Sequence, residues 1–379
     1  MGRANPLRPP FICAKLPRLA RPVVAEEFKA LMSTPAPSTQ RSRLWRLIRA
    51  VILILLTFLI LLLLALVLLG LLPPPVENPV VSNPAADYAD ALARIEASQA
   101  EEKALPDFNP ICGSILMTHG HKTADAIVFY HGFTNCPEQY RLLAQEFFDR
   151  GYNVYVPLTP YHGRNDRRGQ ALVNLTANSL AAYATATADA AQGLGERVTV
   201  SGLSGGGTVA AWLAQERADI ALSAPSSPFI GVSFLPGAFL NRGLANLLRF
   251  VPNVSIHWDP VTRLDNPNTA AHAYAAYPIR SMGTYMQLGL ATMAAARTTP
   301  PAAGAIRMIL NDADFSVNNR VAAELVARWQ RAGAADVTTF TFARDMYLPH
   351  DFIAPERVGA SLDEVYATLI ELMTGAVGR

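Results

Sequence analysis

A Gly-x-Ser-x-Gly turn, Gly202–Gly206, is the stretch of this chain best suited to chemistry. A β-type run, Arg197–Ser201, precedes it, and a helix-type run, Thr208–Gln215, follows it. In a strand–turn–helix context, this pattern holds its serine in a strained backbone conformation, and the flanking glycines remove the clashes that side chains would cause. Ser204 Oγ would then stand clear of the sheet, at a helix N-terminus whose amides face a developing anion. The pentapeptide alone fits a glycine-rich turn without chemistry equally well.

Three other segments carry polar residues after strand-type runs. They are Tyr130–Thr134, with its His-Gly pair; Asn311–Val317, with two carboxylates; and Leu348–Asp351, with a histidine. A serine becomes a strong nucleophile when a histidine can take its proton and a carboxylate holds that histidine in the right tautomer. The serine, the carboxylates and the histidine of these segments therefore supply the residue types of a catalytic triad.

These four segments together resemble the α/β-hydrolase family, over essentially residues 111–379. The resemblance implies that Ser204 is the nucleophile and that His350 is the general base and then the general acid. It also implies that the backbone N–H groups of Phe133 and Gly205 form the oxyanion hole, where the loss of one donor typically costs about 10²–10³ in rate.

Two carboxylates compete for the acid of the triad. Asp314 matches the Asp-x-x-Val spacing of the family, because Val317 follows it three residues later. Asp312 is the alternative, two residues earlier in the same segment. The resemblance favours Asp314.

The elements around these segments predict an α/β fold, a mostly parallel sheet with helices on both faces. Ser114–Met117 and Ala126–Tyr130 are apolar runs joined by a polar segment, which predicts an antiparallel hairpin. Residues 223–301 interrupt the alternation of strands and helices. Because a structureless loop of this length is unusual in a compact domain, they predict a helical lid insertion.

The insertion is rich in large apolar side chains, which could line an acyl pocket or simply form the insertion's own small core. They are Phe229, Phe234, Leu235, Phe239, Leu247, Leu248, Phe250 and Trp258.

Of the three cysteines, Cys112 and Cys136 lie at the start of the first hairpin strand and after the end of the second. These places face each other in an antiparallel hairpin, so a disulfide is geometrically feasible; two free buried thiols are the alternative. No spacing of cysteine and histidine suggests a metal, and we expect neither a metal nor a cofactor.

Residues 50–72 contain no charged residue and are almost entirely leucine, isoleucine and valine. The length matches the ~20 residues that span a bilayer and exceeds the apolar region of a signal peptide, about 7–15 residues. Arg41, Arg43, Arg46 and Arg49 precede the span, which places the N-terminus in the cytoplasm and residues 73–379 outside. We expect an uncleaved, single-pass anchor in the plasma (inner) membrane.

The segments beside the span have their own compositions. Residues 1–49 carry ten basic and two acidic residues and predict a disordered cytoplasmic tail. Translation could start at Met1 or at Met32. Residues 73–110 predict a proline-rich stalk followed by a short helix, ahead of a domain over residues 111–379.

The residues after the span are mildly acidic, which argues against nucleic acid as a partner. We therefore interpret the chain as a membrane-anchored serine hydrolase that cleaves a small or lipid-derived carboxylic ester through an acyl-enzyme. A thioesterase, peptidase or amidase with the same triad and a non-catalytic binding protein on this fold are the alternatives. The sequence does not define the acyl group, the leaving group or the oligomeric state.

Overall fold

The structure, a computed structural model, describes residues 38–76, 81–257, 272–358 and 361–374. A boundary between two compact units lies between Leu61 and Leu62. The second unit is built on a seven-stranded sheet with the order β1-β3-β2-β4-β5-β8-β9. Its strands are β1 (Ile115–Met117), β2 (Thr123–Tyr130), β3 (Asn153–Val156), β4 (Gly195–Leu203), β5 (Leu222–Ser226), β8 (Ala305–Asn311) and β9 (Val337–Phe342). Only β1 runs antiparallel to its neighbour in this sheet, which confirms the mostly parallel arrangement.

The predicted hairpin of the first two strands is wrong. β1 pairs with β3, not with β2, and Ile115 lies opposite Val156. β2 pairs in parallel with β3 on one side and with β4 on the other. Since both edges of β2 are taken by parallel partners, the nearly continuous apolar run of β2 marks a central strand of a parallel sheet.

Helices cover both faces of the sheet. They are α2 (Tyr88–Lys103), α3 (Arg141–Phe148), α4 (Ala177–Ala191), α5 (Gly205–Glu216), α6 (Gly237–Leu247), α7 (Ile279–Ala295), α8 (Asn319–Arg331), α9 (Pro355–Val358) and α10 (Leu362–Thr374). Side chains of β2 alternate between two cores: Val128 packs with α4 and α5, whereas Phe129 packs with α3 and α10. This alternation follows from the two-residue period of a strand.

The insertion lies between β5 and β8. It contains α6, α7 and a two-stranded antiparallel sheet of β6 (Ser255–His257) and β7 (Ala276–Pro278). The insertion is therefore mainly helical, as expected, with a small hairpin added. Trp258 lies outside the described residues.

The apolar segment forms one continuous helix, α1 (Ser38–Gly70). Its Arg43–Gly70 part contains an 18-residue window with a mean hydropathy of 3.5 and is long and apolar enough to cross a membrane. The disordered tail expected for residues 1–49 is thus wrong for residues 38–49, where α1 has already begun. Arginine and leucine favour helix, and the apolar run that follows propagates it. Residues 1–37 lie outside the described part of the chain.

The segment after α1 differs from the extended stalk that was expected. The last turns of α1 are in contact with α6, where Leu66 and Gly70 are buried. Further on, the Ser82 hydroxyl and the Asn83 N–H donate to the Asp189 carboxylate over 2.9 and 2.8 Å. Both ends of the connection are therefore bound to the domain. Proline content predicts an extended backbone but carries no information about such contacts.

Candidate active site

Ser204 occupies the sharp turn between β4 and α5, with φ 59° and ψ −114°. The turn is possible because its flanking residues have no side chains. A Cβ on Gly202 would collide with the backbone of Gly206, and a Cβ on Gly206 would collide with the carbonyl oxygen of Tyr130. The Ser204 N–H donates to Ser226 O over 2.9 Å, which fixes the turn to the end of β5.

His350 is held by a buried carboxylate, and that carboxylate is Asp314. The His350 Nδ1 and Asp314 Oδ2 atoms lie 2.6 Å apart, and the Asp314 side chain is fully buried. The Asp314 Oδ1 atom accepts a second hydrogen bond, from the Ser316 N–H, over 2.8 Å. Asp314 thus follows β8 and reaches the histidine of the loop after β9.

The pKa values of this pair move in opposite directions. Burial raises the pKa of the Asp314 carboxyl, but the charge of His350 and the hydrogen bonds from His350 and Ser316 outweigh burial and hold the pKa below its usual value. Burial lowers the pKa of His350, but the charge and hydrogen bond of Asp314 raise it above the usual value. The protonated imidazolium is therefore stabilised in place.

The alternative carboxylate points elsewhere. Asp312 Oδ2 lies 3.1 Å from Nε of Arg344, and both side chains are more than half exposed. Of the two candidates, the structure brings only Asp314 to His350.

Ser204 and His350 line the same cavity, which has a volume of about 70 Å³. Phe229 and Tyr277 from the insertion, and Phe133 and Val317 from the loops after β2 and β8, form its apolar wall. The complete lining is Gly132, Phe133, Thr134, Ser204, Phe229, Tyr277, Ser316, Val317, His350 and Asp351.

The two expected oxyanion residues are neighbours. A Cβ on Gly205 would lie 3.0 Å from the Cβ of Phe133. Gly205 is the first residue of α5, and the first N–H groups of a helix have no partner within it. The ring of Phe133 packs between Tyr277 and Tyr285, with centroid distances of 4.7 and 5.0 Å. Two tyrosines of the insertion therefore contact the ring of Phe133.

The apolar residues of the insertion have different environments. Phe229 lines the cavity, and Leu248 is buried. By contrast, Phe234, Phe239 and Phe250 are exposed on the surface. Neither of the two sequence-based interpretations, an acyl pocket or a closed core, describes the whole set.

Comparison with known proteins identifies the family. The sequence profile of the family described as serine aminopeptidase, S33, matches residues 121–343, more than half of the chain. The chain belongs to this family of α/β-hydrolases. Comparison with curated protein sequences finds no match.

Solved structures resemble the hydrolase at low sequence identity. A structure from the metagenome-derived lipolytic enzymes LipS and LipT is 16% identical, with a TM-score of 0.50, over 71% of this chain and 99% of its own. The Paleococcus ferrophilus monoacylglycerol lipase is 16% identical, with a TM-score of 0.49, over 69% and 98%. A Saccharomyces cerevisiae monoglyceride lipase is 12% identical, with a TM-score of 0.49, over 69% and 90%. At these identities the likeness concerns the fold alone.

Several residues that position the site of the hydrolase were missed by the sequence analysis. Gln139 accepts from the Gly132 N–H over 2.8 Å and donates to Asp351 Oδ1 over 3.3 Å, so it joins the loop after β2 to the loop of His350. Buried Asn311 donates to the carbonyl oxygens of Leu348 and Pro349 over 3.0 and 3.1 Å. Neither role has a local sequence signal, because the partners lie far apart in the chain.

Two buried histidines support the loop after β2, which carries Phe133. The His131 Nδ1–H donates to Gly132 O over 2.9 Å, and its Nε2 accepts from the Thr159 N–H over 3.0 Å. His162 Nε2 lies 2.8 Å from the carbonyl oxygen of Phe133. Burial lowers the pKa of both rings, and their partners are backbone groups, which fits a structural role.

A disulfide joins Cys112 and Cys136. It does not close a hairpin, since β3 lies between β1 and β2. It forms because β1 runs antiparallel to β3 and β3 runs parallel to β2, so the start of β1 and the end of β2 meet at the same edge of the sheet. The bond ties down the loop that carries Phe133. Within the described ranges, no group of three His, Cys, Asp or Glu side chains could hold a metal.

Proposed function

We propose that this chain is a membrane-anchored serine hydrolase that cleaves carboxylic esters with a small apolar acyl group. One observation carries the proposal: Ser204 and His350 share a cavity, and His350 Nδ1 lies 2.6 Å from the buried carboxylate of Asp314. These are the roles of nucleophile, base and orienting acid, in the chain order of this fold.

The chemistry follows from these positions. His350 Nε2 takes the hydroxyl proton as Ser204 Oγ forms a bond to the ester carbonyl carbon, and the N–H groups of Phe133 and Gly205 stabilise the oxyanion. The intermediate collapses with cleavage of the bond to the alcohol oxygen, which receives the proton from Nε2. Water, activated by the same ring, then hydrolyses the acyl-enzyme.

The cavity favours an ester over a peptide N-terminus. An aminopeptidase must hold a substrate ammonium, usually with a carboxylate. Among the described lining residues, Asp351 is the one carboxylate, and it is engaged by Gln139 and lies 3.8 Å from Arg357. Phe133, Phe229, Tyr277 and Val317 offer apolar contacts instead. About 70 Å³ is small beside the 300–1,000 Å³ of typical ligand sites, which favours a short acyl group.

The test combines active-site labelling with a substrate series. We expect a fluorophosphonate probe to label the wild type but not Ser204→Ala, with Ser98→Ala as a matched control that labels normally. Among p-nitrophenyl esters, kcat/KM is expected to fall from acetate and butyrate to palmitate. Faster turnover of aminoacyl p-nitroanilides would favour the aminopeptidase that the family description suggests. Unlabelled but folded wild-type protein would favour a non-catalytic binding protein.

We further propose that α1 is the membrane anchor, with its N-terminus in the cytoplasm and the catalytic domain outside the plasma (inner) membrane. Its apolar length and the four arginines before residue 50 support this orientation. Alkaline carbonate should leave the full chain in the membrane fraction, and a periplasm-dependent reporter at the C-terminus should be active. Extraction by carbonate or a reporter active only in the cytoplasm would contradict the proposal.

A further inference from the structure

Four arginines converge on a cleft away from the catalytic cavity. Arg242 comes from α6, Arg297 follows α7, and Arg328 and Arg331 come from α8. The part of the cleft between α7 and α8 has a volume of about 360 Å³ and is lined by Ala296, Arg297, Glu324, Arg328, Arg331 and Ala332. Arg242 and Phe239 line its continuation, which shares Arg297 and Arg328. We call the whole the arginine cleft.

The charge of the arginine cleft is not balanced within the described residues. Among the described lining residues, Glu324 is the one carboxylate, and it forms an ion pair with Arg328 over 2.5 Å. Arg328 also donates a hydrogen bond to Met293 O over 2.6 Å. The buried Nε atom of Arg242 has no hydrogen-bond partner in the part of the chain that the structure describes. Burial and then the charges of Arg297 and Arg328 lower the pKa of Arg242. An anion with several acceptor oxygens would satisfy these groups.

The arginine cleft lies beside the end of α1. A Cβ on Gly70, the last residue of α1, would lie 3.0 Å from Phe239 Cζ and Phe239 O. The guanidinium of Arg242 lies over the ring of the same Phe239, 5.6 Å from its centroid. Contact between α1 and α6 is close, because a Cβ on Gly243 would collide with Leu66 O.

The arginine cleft lies beside Gly70, so the place of Gly70 along α1 determines the depth of the cleft in the membrane. Twenty residues lie between Arg49 and Gly70, and about 20 helical residues cross the hydrocarbon core of a bilayer. With Arg49 at one headgroup layer, Gly70 reaches the other, where phospholipid phosphates lie. The exposed rings of Phe239 and Phe250 in and after α6 fit this layer, which favours aromatic side chains beside basic ones.

We infer that the arginine cleft binds the phosphate of an anionic phospholipid headgroup. The inference rests on the proposed spanning of the membrane by α1, but not on the proposed ester hydrolysis. A bound lipid would hold α6, and with it the insertion that covers the active site, at the membrane surface. Guanidinium groups suit the ligand because they bind phosphate oxygens in a bidentate manner.

The test is lipid binding by the full chain in non-ionic detergent micelles, followed by native mass spectrometry. Phosphatidylglycerol should bind Arg242→Gln/Arg297→Gln about tenfold more weakly than the wild type, since two sets of charge-assisted hydrogen bonds are lost. Arg297→Gln alone, at an exposed position, should show part of the loss without a risk to folding. The control Arg150→Gln/Arg197→Gln removes the same charge from exposed ion pairs elsewhere and should bind like the wild type.

Binding of a second lipid and competition by inorganic phosphate identify the source of the phosphate. Phosphatidylcholine should bind more weakly than phosphatidylglycerol, and inorganic phosphate should not displace the lipid. Equal binding by the wild type and the double variant, equal binding of both lipids, or displacement by inorganic phosphate would overturn the inference. Carbonate extraction and fluorophosphonate labelling of the same preparations report separately on the anchor and on the hydrolase.

Discussion

The carboxyl edge of the sheet and the helical insertion differ in how firmly their side chains are held. At the sheet edge, the side chains of Ser204 and Asp314 are buried; the Ser204 N–H donates to Ser226 O, and the Asp314 carboxylate accepts from the Ser316 N–H. In the insertion, Phe234 and Phe250 are 76% and 68% exposed. We therefore expect the sheet edge to determine the reaction and the insertion to determine which acyl groups enter the cavity.

The largest effect is expected at the acid of the proposed triad. Asp314→Asn should lower kcat by about 10⁴-fold, as the loss of the orienting carboxylate does in other serine triads. The matched variant Asp312→Asn removes a carboxylate that pairs with the exposed side chain of Arg344, so kcat should stay within about threefold of the wild type. Steady-state ester hydrolysis checks both, and the reverse order would place Asp312 in the triad.

The next effect concerns the stability of the sheet-edge loops. Cys112→Ser/Cys136→Ser opens a loop with a sequence separation of 24 and should lower the free energy of unfolding by about 3 kcal/mol. Denaturant unfolding of the isolated full chain in detergent measures the change. Cys13→Ser serves as the control, and unaltered stability of the double variant would show that the bond does not constrain the fold.

A smaller effect is expected for the insertion. Tyr277→Ala enlarges the cavity, so the ratio of kcat/KM for octanoate to that for acetate should rise about tenfold while kcat for acetate changes little. Phe250→Ala, at an exposed position of the insertion that does not line the cavity, is the control. A large loss of kcat for acetate in Tyr277→Ala would assign the insertion a part in the chemistry as well.

The smallest effect is a shift in pH dependence. In the proposed mechanism, His350 must be neutral to accept the proton, and Asp314 raises its pKa above the usual value of about 6.5. The activity should therefore rise with pH through a value above 6.5. In Asp314→Asn the raising charge is gone, so the residual activity should rise at lower pH. If the activity of both proteins rose with pH around the same pH value, the titrating group would not be His350 under the influence of Asp314.

The parts of the site predicted from the sequence are those that the chemistry itself constrains. Gly202 and Gly206 are required by backbone contacts of the turn, and Asp314 and His350 follow strands at spacings typical of the family. The contacts of Gln139 with Asp351 and of Ser82 with Asp189 join residues more than 100 positions apart. No local pattern encodes such contacts. The order of the first strands was wrong for a related reason, since two adjacent apolar runs fit a hairpin as well as two strands separated by β3.

The backbone of Ser204 carries a cost that the rest of the domain must offset. A non-glycine residue at φ 59° and ψ −114° is strained by about 1–3 kcal/mol. A glycine would relieve this strain at the expense of the hydroxyl. If Ser204 is the nucleophile, as we propose, thermodynamic stability and turnover favour different residues at this one position, and only turnover favours the serine. The packing around the turn, from the Tyr130 carbonyl to the end of β5, stabilises the domain enough to offset this backbone strain.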